Sequence, residues 1–392
     1  ADEGNLTALR PESLMVLLTA APSAIIERLT AQVGGDPKQV RPLLAGSSDP
    51  ADRIRQLWET RRSAYLQADA TVDTTGKSIA EVAAEIEQLA QAIRGKGVIP
   101  LSSIGTPAGR SDIHVALGVR ESIGPLVRRR WPEAGRVWLV TDDQVATHWL
   151  DPAADQLSAE GYDVAARAVP AGEGSKSLGQ VHELLDWLIS ERVERRDVLV
   201  ALGGGVVGDL AGFVASIVLR GIGLVQVPTS LLAMVDSSVG GKTGVNLPAG
   251  KNLAGAFYQP GVGLIDPRFL ATLPPAEYRS GMAEVIKHAL IQPSTPLGGS
   301  DLLETLELVA IDPLPDDRVV EVLARNVAIK ASVVQADERE AGLRMILNFG
   351  HTAGHAVEAD GYRYRHGEAI ALGLLTVYGI AAALDRIGPD AI

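Results

Sequence analysis

The sequence of 392 residues contains no cysteine. This absence excludes disulfides, cysteine nucleophiles, and zinc or iron–sulfur sites with cysteine ligands. Any resident metal must therefore be held by histidine, aspartate or glutamate side chains. Because thiol-free chains need no oxidising compartment, we expect the protein to act in the cytosol.

The sequence also lacks a hydrophobic run long enough to cross a bilayer. The longest strongly apolar stretch, residues 369–384, is shorter than the roughly 20 residues that a transmembrane helix needs. We therefore expect a buried core helix there and no membrane contact. No basic segment followed by an apolar one opens the chain at Ala1, so no signal peptide is expected.

Positive charge is in deficit, because 36 Lys and Arg residues face 48 Asp and Glu residues, a formal net charge of −12 at pH 7. An acidic chain repels phosphate backbones and anionic lipid, so we expect no nucleic acid and no membrane as a partner. With 46% hydrophobic residues the chain can bury a sizeable core, and its length exceeds the roughly 250–300 residues of a single core. The composition favours two or three domains and small-molecule chemistry.

Residues 1–95 have the pattern of α/β structure with one convincing strand, at 14–18, and helices at 23–29, about 50–68 and 78–94. One strand cannot close a sheet, so we expect this segment to be the end of a domain whose start is missing. Residues 96–112 are rich in glycine, proline and serine and predict a turn-rich linker.

Residues 113–267 alternate short β-branched runs with helical stretches, which predicts a mostly parallel α/β sheet covered on both faces. The predicted strands are 113–117, 137–141, 164–169, 198–202 and 224–227. Helical periodicity dominates residues 268–392, where an all-α domain is expected. Its predicted helices are 277–291, 302–308, 319–334, 348–359 and 367–386.

The strand predicted at 198–202 continues into a glycine-rich turn, Gly203-Gly204-Gly205-Val206-Val207-Gly208-Asp209. Its glycines fit the G-x-G-x-x-G pattern, in which the backbone approaches a pyrophosphate and a helix N-terminus faces the anion. The acidic residue expected about 20 positions later is absent, because Pro228, Thr229 and Ser230 occupy that region. A βα turn without a ligand and a dinucleotide site of another topology both stay open.

A second glycine-rich segment, Asp236 to Thr243, matches the P-loop pattern except at its first position. Asp236 replaces the first glycine, and a carboxylate there would repel phosphate, so we assign no P-loop. Lys242 either contacts an anionic substrate in another way or is a solvated lysine on a surface turn.

Three histidines form the most specific motif. His351 and His355 are four residues apart, which places both imidazoles on one helix face, and His366 follows after a short loop. With a carboxylate such as Glu284, three or four of these groups could surround one divalent ion. Two histidines and one glutamate suit zinc with an open position, which is the catalytic arrangement. Structural histidines without a metal are the alternative.

Basic side chains accompany this motif. Lys287 follows Glu284 by three residues, so the two share a helix face, either as a surface ion pair or as part of the site. Lys330, Arg344 and Asn348 precede the histidines and could bind phosphate or carboxylate, although scattered basic residues are usually solvated.

Five segments together resemble the 3-dehydroquinate synthase family over about residues 113–392. They are 203–209, 228–236, 240–244, 281–287 and 347–352, in family order and near family spacing. The resemblance implies an NAD-binding domain at 113–267, a helical metal domain at 268–392 with zinc or cobalt, and a homodimer. It also implies the conversion of the sugar phosphate 3-deoxy-D-arabino-heptulosonate 7-phosphate to 3-dehydroquinate and phosphate, a step of the shikimate pathway.

The resemblance also implies roles for individual residues. Glu284, His351 and His366 would hold the metal. NAD would be contacted by Asp142, Glu173, Lys176, Gly205, Val206, Val207, Gly208, Asp209, Thr229, Ser230, Lys242, Lys251, Phe269, Leu270, Ala271 and Thr272. Substrate would be bound by Asn252, Lys330, Arg344, Asn348 and, from the neighbouring subunit, Arg220. The catalytic residues would be Asp236, Lys242, Lys287 and His355, with His355 as the candidate for proton handling.

Residues 1–95 resemble the C-terminal half of a shikimate kinase. The segment from Arg41 to Leu44 is similar to a lid with an ATP-contacting arginine, and residues 59–65 are similar to a segment whose arginine, here Arg61, binds shikimate. No Walker A loop precedes them, so we expect no kinase activity. The chain resembles a shikimate kinase/3-dehydroquinate synthase fusion that is truncated at its start and short at its C-terminus.

Two other functions stay open. A polyol dehydrogenase or another sugar-phosphate cyclase would keep the fold and change the reaction, although Lys330, Arg344 and Asn348 favour the dehydroquinate reaction. A truncated chain that binds NAD and metal without catalysis is the second alternative.

Overall fold

The chain forms two compact units, Ala1–Ile99 and Pro100–Ile392. The computed structural model describes residues 16–33, 52–54, 56–57, 70–83, 86, 102–106, 109–309, 311–314, 316–359 and 363–387. Arg41 and Arg61, the two kinase-like arginines, lie outside the described residues, as do most of the helices predicted at 50–68 and 78–94.

The first unit contains a parallel pair of strands, β1 (Val16–Thr19) and β2 (Ala70–Asp73), and a helix α1 (Pro22–Val33) that follows β1. Arg28 of α1 donates a hydrogen bond to Oγ1 of Thr74, just past β2, at 2.9 Å. The sequence-based expectation of a single strand here is wrong. The four residues of β2 are too few, and too polar, to produce a recognisable periodicity.

The second unit is built on a seven-stranded sheet among its described residues. Its spatial order is β3 (Ser102–Thr106), β4 (Gly109–Val115), β11 (Val262–Ile265), β8 (Gly223–Pro228), β7 (Val198–Gly203), β5 (Arg136–Asp142) and β6 (Asp163–Val169). All neighbouring strands are parallel except the β3–β4 pair. Every residue of β7 is buried, as expected for a central strand covered on both faces. The predicted mostly parallel α/β fold is confirmed.

Four helices follow sheet strands: α2 (Ile123–Arg130), α3 (Asp143–Ala159), α4 (Leu178–Ser190) and α5 (Gly205–Ile217). The main core cluster lies between strands β5 and β7 and helices α4 and α5. It includes Trp138, Leu184, Leu188, Leu199, Leu210 and Val214, all completely buried. The core therefore holds α5, and with it the glycine-rich turn, firmly on the sheet.

The prediction of a turn-rich linker at 96–112 is wrong for most of the residues that the structure describes there. Residues of β3 and the start of β4 form an antiparallel hairpin at the sheet edge, and Ile104 is completely buried. With a single large apolar residue among serine, glycine and threonine, β3 has the composition of a turn. It is a strand because it pairs with β4 and packs on a distant helix, α8 (Asp316–Ala336).

A second hairpin was not predicted either. Strands β9 (Lys242–Leu247) and β10 (Gly250–Phe257) pair in antiparallel fashion outside the main sheet. Their glycines obscure the alternating pattern that predicts a strand. In the structure, glycine lets the two strands approach each other closely. A Cβ atom on Gly255 would lie 2.0 Å from the carbonyl oxygen of Thr243.

The rest of the unit is helical, as predicted. Besides α8, it contains α6 (Pro275–Ile291), α7 (Asp301–Glu307), α9 (His351–Ala359) and α10 (His366–Ala383). Helix α6 lies at the centre, and its buried residues include Glu284, Lys287 and His288. The helix predicted at 348–359 begins later, because Asn348 ends a 3₁₀ turn, Leu343–Asn348.

Helix α10 differs from the expected buried core helix. Only one face of its first half is buried, and Leu372, Leu375, Ile380 and the following Leu384 are exposed. Length and composition alone would let α10 cross a membrane, with a mean hydropathy of 1.3, but core helices pass the same test and its first half packs against α6 and α9.

We expect Gly373→Ala in α10 to lower the free energy of unfolding by about 1–3 kcal/mol or more. Its Cβ would lie 2.1 Å from the carbonyl oxygen of Gly350, a backbone atom that cannot rotate away. Gly379→Ala in the same helix is the matched control, since nothing lies within 4 Å of its added Cβ. The control should be neutral or stabilise by up to about 1 kcal/mol. Urea unfolding measures both, and equal effects would contradict the close packing of α9 on α10.

Candidate active site

A cavity of about 2230 Å³ lies in the second unit, where the carboxyl ends of the parallel strands face the helices. Open α/β sheets bind ligands at this edge. Its walls come from the ends of β5, β7 and β8, from the β9–β10 hairpin, and from α6, α8, α9 and α10. The volume is sufficient for more than one small molecule.

The glycine-rich turn forms one wall of this cavity. Gly204 caps the N-terminus of α5, and Gly204, Gly205 and Val206 line the cavity. A Cβ on Gly205 would approach Oγ of Ser237 to 3.0 Å. The turn therefore offers an uncovered helix N-terminus next to a large cavity, which is the arrangement that binds phosphate groups.

Most residues predicted to contact NAD line the cavity. These are Asp142, Glu173, Lys176, Gly205, Val206, Asp209, Thr229, Ser230, Lys242, Lys251 and Thr272. Val207, Gly208, Phe269, Leu270 and Ala271 do not. Val207 belongs to the main core cluster, and Gly208 is buried. The Phe269 ring packs edge-to-face on Trp149, with 4.9 Å between the ring centroids.

Three of these polar residues also have structural roles. Asp142 is the N-cap of α3 and accepts hydrogen bonds from the backbone N–H groups of Gln144 and Val145. Lys176 and Asp209 form an ion pair of 2.5 Å under the glycine-rich turn. Burial raises the pKa of Asp209 above its ordinary value, although the charge of Lys176 opposes the shift.

The second wall carries the histidines. Glu284 of α6, His351 at the start of α9 and His366 at the start of α10 converge. Oε1 of Glu284 lies 3.7 Å from Nε2 of His351 and 3.6 Å from Nε2 of His366. These distances are long for hydrogen bonds. They are close to the separation of about 3.3 Å between ligand atoms of a tetrahedral zinc ion with bonds of about 2.0–2.1 Å.

The surroundings of Glu284 also fit a cation. Its side chain is completely buried, and its oxygen Oε1 has no hydrogen-bond partner among the described residues. Burial would raise the pKa of Glu284, but the positive charge of Lys287 and the contact with His366 lower it to about 2. The carboxylate is therefore ionised at neutral pH and needs positive charge beside it.

Lys287 supplies part of that charge. Its ammonium group pairs with Oε2 of Glu284, and both side chains are almost completely buried. The alternative of a surface ion pair is therefore wrong. Burial and the charge of Lys287 lower the pKa of His351, which favours the neutral imidazole that binds metals.

His355 faces the cavity beside this cluster. Its ring centroid lies 5.1 Å from that of His351 and 6.0 Å from that of His366. It is exposed, so it can meet a ligand in the cavity.

The cavity also gathers the predicted substrate-binding residues around a set of ion pairs. Lys330 of α8 donates a hydrogen bond to the backbone carbonyl of Asp236 at 2.6 Å and pairs with its carboxylate. Arg344 is buried and donates to the carbonyl of Gly240 at 2.9 Å. Asn252 and Asn348 line the cavity as well.

Arg220 is the exception, since it does not line the cavity of its own chain. It lies after α5 with a φ of 71°, next to Leu219 with a φ of 49°. Two successive non-glycine residues in the left-handed region are strained, and such strain commonly occurs at functional sites.

Three residues of the site were missed by sequence reasoning. Glu340 accepts hydrogen bonds from Lys242 at 2.6 Å and from Asn348 at 2.9 Å, Glu358 contacts His366, and His288 is buried beside Glu284. Burial and the charge of Lys287 lower the pKa of His288 to about 4, so it is neutral. The Glu340–Lys242 contact spans 98 residues, which no local pattern reveals.

Comparisons with known proteins agree with this arrangement. Family models described as 3-dehydroquinate synthase N-terminal and C-terminal match residues 166–280 and 281–392, and one described as shikimate kinase matches residues 1–91. A 3-dehydroquinate synthase of Symbiobacterium thermophilum is 50% identical over 275 residues, which cover 69% of this chain and 75% of that relative.

Two solved structures share the fold. One is 2-deoxy-scyllo-inosose synthase complexed with carbaglucose-6-phosphate, NAD+ and Co2+, with a TM-score of 0.67, 30% identity, and coverage of 74% of this chain and 77% of that chain. The other is 2-epi-5-epi-valiolone synthase from Streptomyces hygroscopicus with NAD+ and Zn2+ bound, with a TM-score of 0.61, 26% identity, and coverage of 74% and 84%.

The fold and the site define an enzyme of the sugar-phosphate cyclase class. Within that class the chain belongs to the 3-dehydroquinate synthase family, preceded by a segment that matches the shikimate kinase family. Both resemblances inferred from the sequence are confirmed.

The Asp236–Lys330 pair predicts a pH-dependent stability. Burial would raise the pKa of Asp236, but the charges of Lys330 and Lys287 hold it well below its ordinary value of 3.8. A lowered pKa in the folded state contributes stability above pH 3.8, and this contribution is lost as the pH falls through the folded value.

We therefore expect Asp236→Ala to lower the free energy of unfolding by about 3–5 kcal/mol at pH 7, because Lys330 stays buried without its counter-charge. The difference from the unsubstituted chain should shrink below pH 3.8. Urea titrations over a pH series measure it. Glu194→Ala, which breaks the exposed pair with Arg196, is the control and should cost less than about 1 kcal/mol. A pH-independent loss for Asp236→Ala would refute the assigned ion pair.

Proposed function

We propose that the chain is a phosphate-eliminating lyase that converts 3-deoxy-D-arabino-heptulosonate 7-phosphate to 3-dehydroquinate and phosphate, with NAD and Zn2+ or Co2+ as cofactors. The observation that carries the proposal is the meeting of Glu284, His351 and His366 in the same cavity as the glycine-rich turn. Membership of the family and the NAD+ and metal ions of the related solved structures support it.

The donor set fits a divalent cation, because two imidazoles and one ionised carboxylate leave a coordination position for a ligand. When bound, NAD+ would accept and return a hydride, and the cation would act as a Lewis acid toward hydroxyl groups. NAD would lie along the glycine-rich turn, with its pyrophosphate at the N-terminus of α5.

The basic residues of the cavity would hold the substrate, which carries a carboxylate and a phosphate. Lys242, Lys330 and Arg344 supply positive charge, and Asn348 supplies an amide donor. Glu340 now accepts hydrogen bonds from Lys242 and Asn348, so an incoming anionic group would replace its carboxylate.

Holding the substrate in one conformation is itself a large part of such catalysis. A chain of elimination, ring opening and aldol closure needs its reacting carbons kept close, and positioning can contribute up to about 7–11 kcal/mol. His355 is the proposed group for proton transfer, because it is exposed to the cavity beside the metal cluster. Lys287 would keep Glu284 ionised.

Several features of the proposal concern the whole protein. A homodimer would bring Arg220 of one subunit to the cavity of the other, which accounts for its position outside its own cavity. The division at 113–267 and 268–392, the cytosolic location and the absence of kinase activity stay predictions.

Phosphate release separates this function from its alternatives. With the heptulosonate phosphate, NAD+ and Co2+, we expect stoichiometric phosphate and dehydroquinate without net NADH. A polyol dehydrogenase would accumulate NADH. A chain that binds both cofactors and releases no phosphate would support the non-catalytic alternative.

Metal binding can be tested apart from turnover. We expect His351→Ala and His366→Ala each to weaken Co2+ binding by at least about 100-fold, since each removes one of three protein ligands. Chelator competition and the visible spectrum of bound Co2+ measure it. His182→Ala removes an exposed histidine of α4 that pairs with Asp186, and it should leave Co2+ binding unchanged. If His351→Ala and His366→Ala bound Co2+ as tightly as His182→Ala, the metal site would not include His351 and His366.

A further inference from the structure

Glu358 connects two parts of the active site. It lies in the last turn of α9 and is 8% exposed. One oxygen, Oε2, lies 3.2 Å from Nδ1 of His366 at the start of α10. The other, Oε1, accepts a hydrogen bond from Nζ of Lys251 on β10 at 2.7 Å. A single carboxylate thus serves one donor on the metal side and one on the hairpin.

This contact decides which nitrogen of His366 carries the proton. Glu358 forms an ion pair with Lys251, with 2.7 Å between Oε1 and Nζ. A carboxylate held in an ion pair only accepts hydrogen bonds, so Nδ1 of His366 donates to Glu358. Nε2 is then the nitrogen left to bind a metal, and Oε1 of Glu284 lies 3.6 Å from it.

We propose that Glu358 is a positioning residue, which fixes the tautomer and orientation of His366 for metal binding, and that Lys251 anchors Glu358. The proposal deepens the proposed function and rests on its metal site. A carboxylate that accepts from the second nitrogen of a metal-binding histidine typically contributes 10–100-fold to metal affinity.

A different role for Glu358 must be distinguished. Glu358, His355 and His366 also lie close enough to share a metal ion. However, both oxygens of Glu358 already have partners, Nζ of Lys251 and Nδ1 of His366. Oε1 of Glu284, in contrast, has no hydrogen-bond partner among the described residues and can bind a metal.

The test uses the different bonding of a carboxylate and an amide. In Glu358→Gln only one oxygen remains to accept, while two donors compete for it. When the amide oxygen accepts from Lys251, the NH2 group faces Nδ1 of His366 and forces the proton onto Nε2, the metal-binding atom. We expect Co2+ affinity to fall about 10–100-fold at mildly alkaline pH, where free imidazole is neutral.

The double variant Glu358→Gln with Lys251→Met removes the competing donor. The amide oxygen can then accept from Nδ1–H of His366, so Co2+ affinity should recover at least threefold relative to Glu358→Gln alone. The visible spectrum of bound Co2+ should return to that of the unsubstituted chain. A merely structural role of Glu358 predicts no such recovery from a second substitution.

Glu277→Gln is the matched control. It removes the same charge from the same cavity, but its carboxylate pairs with Arg365 at 2.9 Å and not with His366. Its Co2+ affinity should stay within about twofold of the unsubstituted chain. If Glu277→Gln lost as much Co2+ affinity as Glu358→Gln, the loss would follow from removing a negative charge from the cavity. That result would overturn the proposal.

Two further results would overturn it. One is a Co2+ affinity of Glu358→Gln within threefold of the unsubstituted chain. The other is a loss that Lys251→Met does not relieve, which would make Glu358 a direct ligand or a packing residue. Phosphate release by the unsubstituted chain is measured in parallel. If that chain releases phosphate but the variants do not show the expected Co2+ affinities, the role of Glu358 alone is refuted. If the unsubstituted chain does not bind Co2+, both this role and the proposed function are refuted.

Discussion

The burial of one negative charge governs the organisation of the site. The Glu284 carboxylate is completely buried, and its oxygen Oε1 lacks a hydrogen-bond partner among the described residues. An uncompensated buried charge costs several kcal/mol, so positive charge must lie beside it. Lys287 supplies one positive charge from the same helix, and the two imidazole nitrogens that face Oε1 leave room for a second. The proposed cation at this position would balance the negative charge that Glu284 brings into the interior.

Glycines set the distances between the helices that carry this cluster. A Cβ on Gly367, next to His366, would lie 1.9 Å from the carbonyl oxygen of Ser280 in α6. A Cβ on Gly281 would lie 2.7 Å from the backbone nitrogen of Leu232. Without side chains at these positions, α10 and the segment before Asp236 approach α6 closely. The donor atoms of the proposed metal site and Asp236 therefore lie near one cavity.

The sequence predicted those parts of the protein that depend on local patterns. The parallel strands and the C-terminal helices follow from periodicity, and the spacing of His351 and His355 correctly indicated a helix. The predictions that failed concern segments whose structure depends on partners distant in sequence. The segment of β3 is a strand only because it pairs with β4 and packs on α8. Strands β9 and β10 contain glycine where the two strands contact each other. Family resemblance supplied proposed roles that spacing could not, such as that of Asn252 in substrate binding.

Glu340 and Glu358 show the same limit within the site itself. Each is an ordinary acidic residue in the sequence, and each pairs with a lysine about a hundred positions away, at 98 residues for Glu340 and 107 for Glu358. Their charges matter because seven lysine and arginine side chains line the cavity, and these positive charges must be balanced when no anionic substrate is present. The acidic composition of the chain gave no sign of this local concentration of basic groups.

The position of the metal is the most direct test of the central claim. Crystals grown with Co2+ and NAD+ should give an anomalous difference peak within about 2.0–2.3 Å of Oε1 or Oε2 of Glu284 and of Nε2 of His351 and His366. The nicotinamide should face this peak from the side of the glycine-rich turn. A peak bound by Asp236 and His288, or by His355 and Glu358, or the absence of any peak in the cavity, would contradict it.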